Sequence, residues 1–506
     1  VSAPIGSRHL IFVLFSALAF AQTPEQKTAR YLDSIRQQPP LLQAFLHAIP
    51  KGGDLHSHLT GAIYAEDALD WAASDNFCVD RTTSQLLGAP CDTCEHYTPK
   101  PSIRCAYGDH ILYNQIIDAW SMRNWRAGDE SGHDHFFASF DKFELTADNH
   151  TAEAVATVIN RAARENVQYV EFMHTADGNA AARLGMRLGW DSNFASMRDK
   201  LFAGGLKEIA AATSKTLTED DARARTELKC GTPDAEPGCN VTVRYLYQVL
   251  RGLSHEAVFA QILLGFELAS SDPHFVGLNL VMPEDWYVPI HDFNEHMAML
   301  DYLHGVYPKV HISLHAGEIA LGLVKPEDLN FHIRASVERG HAERIGHGVD
   351  IMLEKDPLGL MKEMAARNVL VEINLTSNDQ ILNVSGDDHP LPIYMKNGVP
   401  VAISTDDEGV ARSDMTHEYL RAVESYHLPY MELKRIARQS IEHSFLPGQS
   451  LWAETKGSFR PVAACSADVA TEEKPTPTCE KFLAASERAR EQWKLEIAFA
   501  RFEKKF

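Results

Sequence analysis

From residue 51 onward, short runs of β-branched and aliphatic residues alternate with stretches whose apolar positions recur every three or four residues. The runs at 53–58, 167–173, 241–249, 276–282, 309–315, 344–348, 370–376 and 399–405 predict eight strands. Between the later strands, 326–339, 357–367 and 415–426 carry the helical period. A repeated strand–helix order predicts a parallel sheet, because each strand returns to the same direction through its helix. Eight such units close as a (β/α)8 TIM barrel of the α/β class. No repeat beyond this alternation is present.

Two stretches exceed a minimal barrel: a cysteine-bearing segment near 77–107, and 177–240, where helical pattern gives way to a Gly/Pro loop closed by cysteines. Both read as insertions on βα loops, the face on which such barrels carry their sites. The resulting division is an N-terminal helical segment at 22–50, the barrel at 51–460, and a cysteine-containing loop and charged helix at 461–506. Ahead of these lies an apolar run from Leu10 to Phe20, behind Arg8 and ending in Ala19-Phe20-Ala21. A small-x-small end to such a run is a signal-peptidase pattern, so 1–21 is expected to be a cleaved signal peptide.

Cysteine spacing agrees with that address. The eight cysteines fall in even groups, Cys78/Cys91/Cys94/Cys105, Cys230/Cys239 and Cys465/Cys479, which predicts disulfides and a secreted or periplasmic protein. The first group permits three pairings, and a structural zinc on its four thiolates is the competing reading. Lys and Arg total 48 against 69 Asp and Glu, a net charge of −21, which argues against a nucleic-acid polymer as partner. With one short apolar run, no stable membrane insertion is expected. A homodimer is left open.

Chemistry concentrates at strand ends. Asp54-Leu55-His56-Ser57-His58 ends the first strand, and alternation places His56 and His58 on one face. His315-Ala316-Gly317-Glu318 follows the fifth strand, Arg344-Ile345-Gly346-His347-Gly348 forms the sixth, and Ser404-Thr405-Asp406-Asp407 ends the eighth. Three imidazole nitrogens and one carboxylate suit Zn²⁺, which lowers the pKa of a bound water to roughly 7. Glu318 is then a candidate proton carrier, with His347 and Asp406 placed to orient or deprotonate the water.

These motifs resemble the adenosine deaminase family, over about 51–446 with gaps at the two insertions. The signal segment, the cysteine insertion and Leu375-Thr376-Ser377-Asn378 most resemble its secreted branch, the adenosine deaminase-related growth factors. The resemblance implies one zinc per chain on His56, His58, His315 and Asp406. It further implies that Glu318 protonates purine N1, that His347 positions the attacking water, and that Asp407 hydrogen-bonds N7. The substrate implied is a small purine nucleoside, adenosine or 2′-deoxyadenosine. Two positions depart from the family: Thr60 stands where compact members carry an Asp that meets the ribose 5′-hydroxyl. Met282 stands where a Gly usually offers its backbone N–H to N3, so Met282 and Thr60 become the candidate substrate contacts.

Three other readings compete. Pro90-Cys91-Asp92-Thr93-Cys94 matches half of the nucleobase-deaminase zinc signature, but its His-x-Glu half is missing upstream. A zinc amidohydrolase acting on another electrophile would use the same barrel. A secreted binding or signalling protein with a vestigial site is the third, and the presence of all four ligand candidates and Glu318 speaks against it.

Overall fold

The computed structural model describes residues 22–506 apart from 96–97, 127, 129, 148 and 469–473. The expected signal segment 1–21 therefore lies outside the described residues. Eight strands form one sheet in chain order: β1 (Gly52–His58), β2 (Val167–His174), β3 (Thr242–Leu250), β4 (Phe275–Val281), β5 (His311–Ala316), β6 (Arg344–His347), β7 (Leu370–Ile373) and β8 (Val401–Ile403). All neighbouring pairs are parallel. Closure runs through the site itself, since the His58 amide donates to the Asp406 carbonyl at 3.0 Å and the Asp406 amide to the His56 carbonyl at 2.8 Å. The chain is a (β/α)8 barrel, as the alternation predicts.

Local chemistry sets the element boundaries. The helix Pro357–Arg367 begins with Pro at its first position behind Asp356, whose side chain accepts the Gly359 amide, and ends at Asn368 in the left-handed region. Met415–Tyr426 starts in the same manner, with Asp414 accepting the His417 amide. Strand β7 is shorter than its apolar pattern: it stops at Ile373, and Leu375–Leu382 is helix. Expected helix 326–339 divides into a short turn, Pro326–Leu329, and a helix, His332–Glu338. Strands covered on both faces read as nearly continuous apolar runs, and every residue of β4 is buried.

The connection from β1 to β2 holds the hairpin of Cys78–Val79 with Leu86–Leu87 and the helix Gly132–Ala147. Cysteines pair as Cys78–Cys91, Cys94–Cys105, Cys230–Cys239 and Cys465–Cys479. The first two bonds remove the zinc reading of those four thiolates. Between β2 and β3 run three helices, Ala180–Leu188, Phe194–Ala203 and Leu206–Glu227. The Cys230–Cys239 loop leads directly into β3, at the N-terminal end of the barrel and away from the expected site face.

Terminal helices close that same end. Phe45, from Pro39–Ala48, meets Phe502 of the C-terminal helix Glu487–Glu503 edge-on at 5.1 Å. Arg438 makes two 2.7 Å hydrogen bonds to Glu496. No described helix is long and apolar enough to cross a membrane.

Candidate metal and active site

Strand ends bring His56, His58, His315 and Asp406 together, with one donor atom from each lying within 4.8 Å of the others. What orients the imidazoles is a ring of polar partners behind them. His56 Nδ1 donates to Glu372 Oε2 at 2.6 Å, His58 Nδ1 to Gln248 Oε1 at 2.8 Å, and His315 Nδ1 to Asn279 Oδ1 at 2.8 Å. Each of those donations leaves Nε2 with its lone pair turned inward.

The inward atoms crowd together as donors around one shared cation would. Nε2 of His58 and His315 are 3.2 Å apart, and Asp406 Oδ1 is 3.2 Å from His56 Nε2 and 3.3 Å from His58 Nε2. Both His56 Nε2 and Asp406 Oδ1 are buried without a hydrogen-bond partner. Lone pairs crowded in this manner, in a buried site, fit a divalent metal with nitrogen and oxygen ligands. The other Asp406 oxygen accepts from Ser377 Oγ at 2.6 Å, which fixes the carboxylate plane.

The motif glycines have a steric reason. A Cβ at Gly346 would come within 2.5 Å of the His56 ring, and one at Gly61 within 1.6 Å of Asp407 Oδ1. Met282, His347 and Asp406 adopt positive φ of 88°, 67° and 59°. Non-glycine residues hold such conformations only where surrounding contacts impose them, and functional sites are where they collect.

Glu318 and His347 stand beside the donor cluster. His347 Nδ1 is 3.6 Å from Glu318 Oε1 and accepts from Asn378 Nδ2 at 2.9 Å, while its Nε2 is 4.0 Å from Asp406 Oδ2. Burial holds the Glu318 carboxyl well above the ordinary range, helped by the negative charges of Asp406 and Glu284. A carboxyl kept protonated at neutral pH can donate a proton. Burial likewise depresses His347 to about 3, so this imidazole is neutral, and it pushes Asp407 up to about 7.

All of this opens into a cavity of about 330 Å³ whose wall includes His58, Thr60, Met282, His315, Glu318, Asp406 and Asp407. His56 and His347 do not line the cavity; both are fully buried and lie against Asp406, which does. Sequence reasoning missed the aromatic wall, Phe136, Phe137 and Phe140, which the Gly132–Ala147 helix contributes together with Asp141 and Glu144 at successive turns. It also missed the partners Gln248, Asn279 and Glu372. A signal existed for two of them: Asn279 in β4 and Glu372 in β7 are each the single polar residue of an apolar strand, and such residues are expected to be satisfied by specific partners, whereas Gln248 shares β3 with Thr242 and Arg244.

A parallel eight-stranded barrel whose strand C-termini gather three imidazoles and a carboxylate is a metal-site (β/α)8 protein. The sequence model of the adenosine deaminase family matches residues 111–453, and the chain belongs to that family. An adenosine deaminase of Escherichia coli is 36% identical over 155 residues, which is 30% of this chain and 42% of the relative's length. The aligned part therefore spans less than half of that relative. Among solved structures, an Arabidopsis N6-mAMP deaminase superposes with a TM-score of 0.50 at 21% identity, covering 80% of this chain and 96% of the other. An amidohydrolase from Burkholderia ambifaria, described with bound Zn, gives 0.53 at 17% identity, covering 80% and 88%. At these identities the likeness is one of fold.

Proposed function

We propose that the protein is a zinc-dependent hydrolase that deaminates a 6-aminopurine nucleoside, converting adenosine or 2′-deoxyadenosine to the 6-oxo nucleoside and ammonia. The observation that carries this reading is the donor cluster: three imidazoles turned by their own hydrogen bonds so that Nε2 atoms and Asp406 Oδ1 converge beside the buried Glu318 carboxyl. Family membership supports the reaction class, and the Zn-containing structural neighbour supports the choice of metal. His56, His58, His315 and Asp406 would hold the ion, which when bound acts as a Lewis acid that makes water nucleophilic near neutral pH.

This chain's own residues then divide the proton work. Glu318 gives its proton to purine N1, which draws electron density from C6. Water oxygen adds to C6, and the neutral His347 orients that water and takes part in removing its proton. The proton taken from water passes to the departing nitrogen, the C6–N6 bond breaks and ammonia leaves, and the added hydroxyl gives its remaining proton back to Glu318 as the 6-oxo group forms, N1 keeping the proton it received. Asp407, at the cavity wall and with Oδ1 unpartnered, is the group assigned to N7. Met282 and Thr60 are assigned to the base and ribose ends.

The cavity favours a nucleoside over a nucleotide. Its described lining contains no Lys or Arg and does contain Asp141 and Glu144, so a 5′-phosphate would meet like charge and no cationic partner. The structural neighbour named as an N6-mAMP deaminase marks the contrasting preference. With four disulfides, secretion or a periplasmic location is part of the same proposal. Ammonia release is to be measured with and without chelator on adenosine, 2′-deoxyadenosine, adenine, AMP and 5′-modified adenosines. Preference for free adenine, AMP or a non-purine amide over every nucleoside would overturn the substrate assignment, and chelator-insensitive turnover would overturn the metal.

A further inference from the structure

Behind the cavity wall lies a buried ion pair to which the proton-transfer scheme assigns no step, although the charge of Glu284 helps raise the Glu318 carboxyl. Arg251 directly follows β3, and Glu284 lies three residues beyond β4; each side chain is almost wholly buried. The two oxygens of Glu284 each accept one backbone amide from the loop after β5: Oε2 from Gly317 and Oε1 from Glu318, both at 3.0 Å. Arg251 reaches the same loop from the other side, donating from Nη1 to the His315 carbonyl at 3.2 Å. Its Nε and Nη2 donate to the Met282 carbonyl at 3.3 and 3.1 Å. Nη2 also stands 3.7 Å from Glu284 Oε1.

The geometry has a direct consequence for the loop 315–318. Between His315 and Glu318 the chain turns through Gly317 at φ +83°, and it is held on its carbonyl side at His315 and on its amide side at Gly317 and Glu318. A planar guanidinium and a carboxylate that accepts one amide per oxygen both fix direction as well as distance. A buried ion pair is weak evidence of stabilisation, because desolvation offsets much of its attraction. Its connection to the ends of β4 and β5, which carry a base contact, a metal-ligand candidate and a proton donor, is the informative feature.

We propose that Arg251 and Glu284 are positioning residues, which set the Glu318 carboxyl relative to His315 and Met282 so that proton transfer to N1 and attack at C6 occur in one fixed geometry. The inference rests on the deaminase reading, and it assigns no contact between either residue and substrate. Misplacement of a reacting group by about 1 Å reduces rate about 10²-fold, and the loss falls on the transition state rather than on binding.

The test uses zinc-loaded full-length protein with adenosine, in Glu284→Gln and Glu284→Asp variants. Gln keeps the size but presents an amide to one of the two N–H donors; Asp keeps the charge for Arg251 but loses reach. For both, kcat per zinc-loaded folded chain is expected to fall about 10²-fold, with KM within about threefold of wild type. In calorimetry, affinity for a stable 6-hydroxy-1,6-dihydropurine nucleoside, which carries the tetrahedral C6 and N1–H, should weaken by the same factor as kcat/KM. Affinity for the product nucleoside should not change. If Glu284→Gln does not fold, Arg251→Lys, which keeps charge and loses the planar fork, carries the same expectation.

Unchanged kcat per loaded chain in Glu284→Gln, or full recovery in Glu284→Asp, would overturn the proposal and leave the pair a structural element. Absence of ammonia release by the zinc-loaded wild type would instead overturn the deaminase reading, and the positioning role with it.

Discussion

Replacing Glu372 with Gln tests whether the groups behind the imidazoles shape the metal site or only neutralise a buried cation. Glu372 is fully buried in β7, with Oε2 on His56 Nδ1 at 2.6 Å and Oε1 accepting from Ser313 Oγ at 3.0 Å and lying 2.6 Å from Arg344 Nε. Against the effect of burial, the Arg344 guanidinium holds this carboxyl below its ordinary value, so it is ionised. A carboxylate behind a ligating histidine contributes about 10–100-fold in metal affinity, or about 1.4–2.7 kcal/mol. Gln retains an oxygen for His56 and loses only the charge, so a loss near the lower end, about tenfold, is expected.

Breaking a buried pair costs about 3–5 kcal/mol when the partner is stranded. Arg344 is not stranded here, since it keeps Glu171 at 2.6 Å, the His443 carbonyl at 3.1 Å and the face of Phe445 at 3.9 Å. The cost to the metal-free protein should therefore be smaller, about 1–3 kcal/mol. Competition against a chromophoric zinc chelator reads the first number and urea unfolding of metal-free protein reads the second. Lowered stability with zinc affinity within twofold of wild type would refute the reasoning and leave Glu372 as a counter-ion to Arg344.

Glu318→Gln should keep its zinc while kcat falls by about 10²–10⁴, the range for general acid–base groups; near-normal turnover would remove Glu318 from the proton path. His58→Ala should lower zinc content together with activity, whereas His347→Ala should lower activity and retain the metal, and equal metal loss in both would merge the two roles. His389 is buried and neutral, donating from Nε2 to Asn378 Oδ1 at 3.1 Å and accepting the Leu391 amide at Nδ1, and burial, with Arg421 nearby, lowers it to about 4. The unfolded chain takes up this proton near pH 6.5 and the folded chain only near pH 4, so stability falls as pH drops across that window by about 3 kcal/mol from this group. Urea unfolding at pH 6.5 and 4.5 should show a smaller loss in His389→Leu than in wild type, and an identical loss in both would refute the assignment.

What sequence made legible divides along physical lines. Apolar runs and caps depend on neighbours in the chain, and all eight strands appear close to where the pattern put them. The exception is instructive: residues 374–376 extend an apolar-looking run, yet Asn374 is turned toward His347 and the helix begins at Leu375. His56, His58, His315 and Asp406 could be grouped because each sits at a strand end, and barrel closure does the rest. Glu372, Gln248 and Asn279 could not be assigned partners in advance, since their hydrogen bonds cross between strands far apart in sequence. Phe137 and Phe140 look like any helical apolar stripe; only the position of Gly132–Ala147 beside the strand ends turns them toward the cavity.

The pairing of the cysteines bears on how the chain matures. Each bond joins residues 9 to 14 positions apart, and every one lies outside the eight barrel strands. Closing loops this short needs only that a local segment has emerged, so each bond can form without waiting for the distant strand contacts that complete the barrel. Oxidation and barrel closure are therefore expected to be separable steps. A host that cannot form disulfides would then be expected to yield a closed barrel carrying loosened surface segments, and later oxidation would have to repair only neighbouring residues.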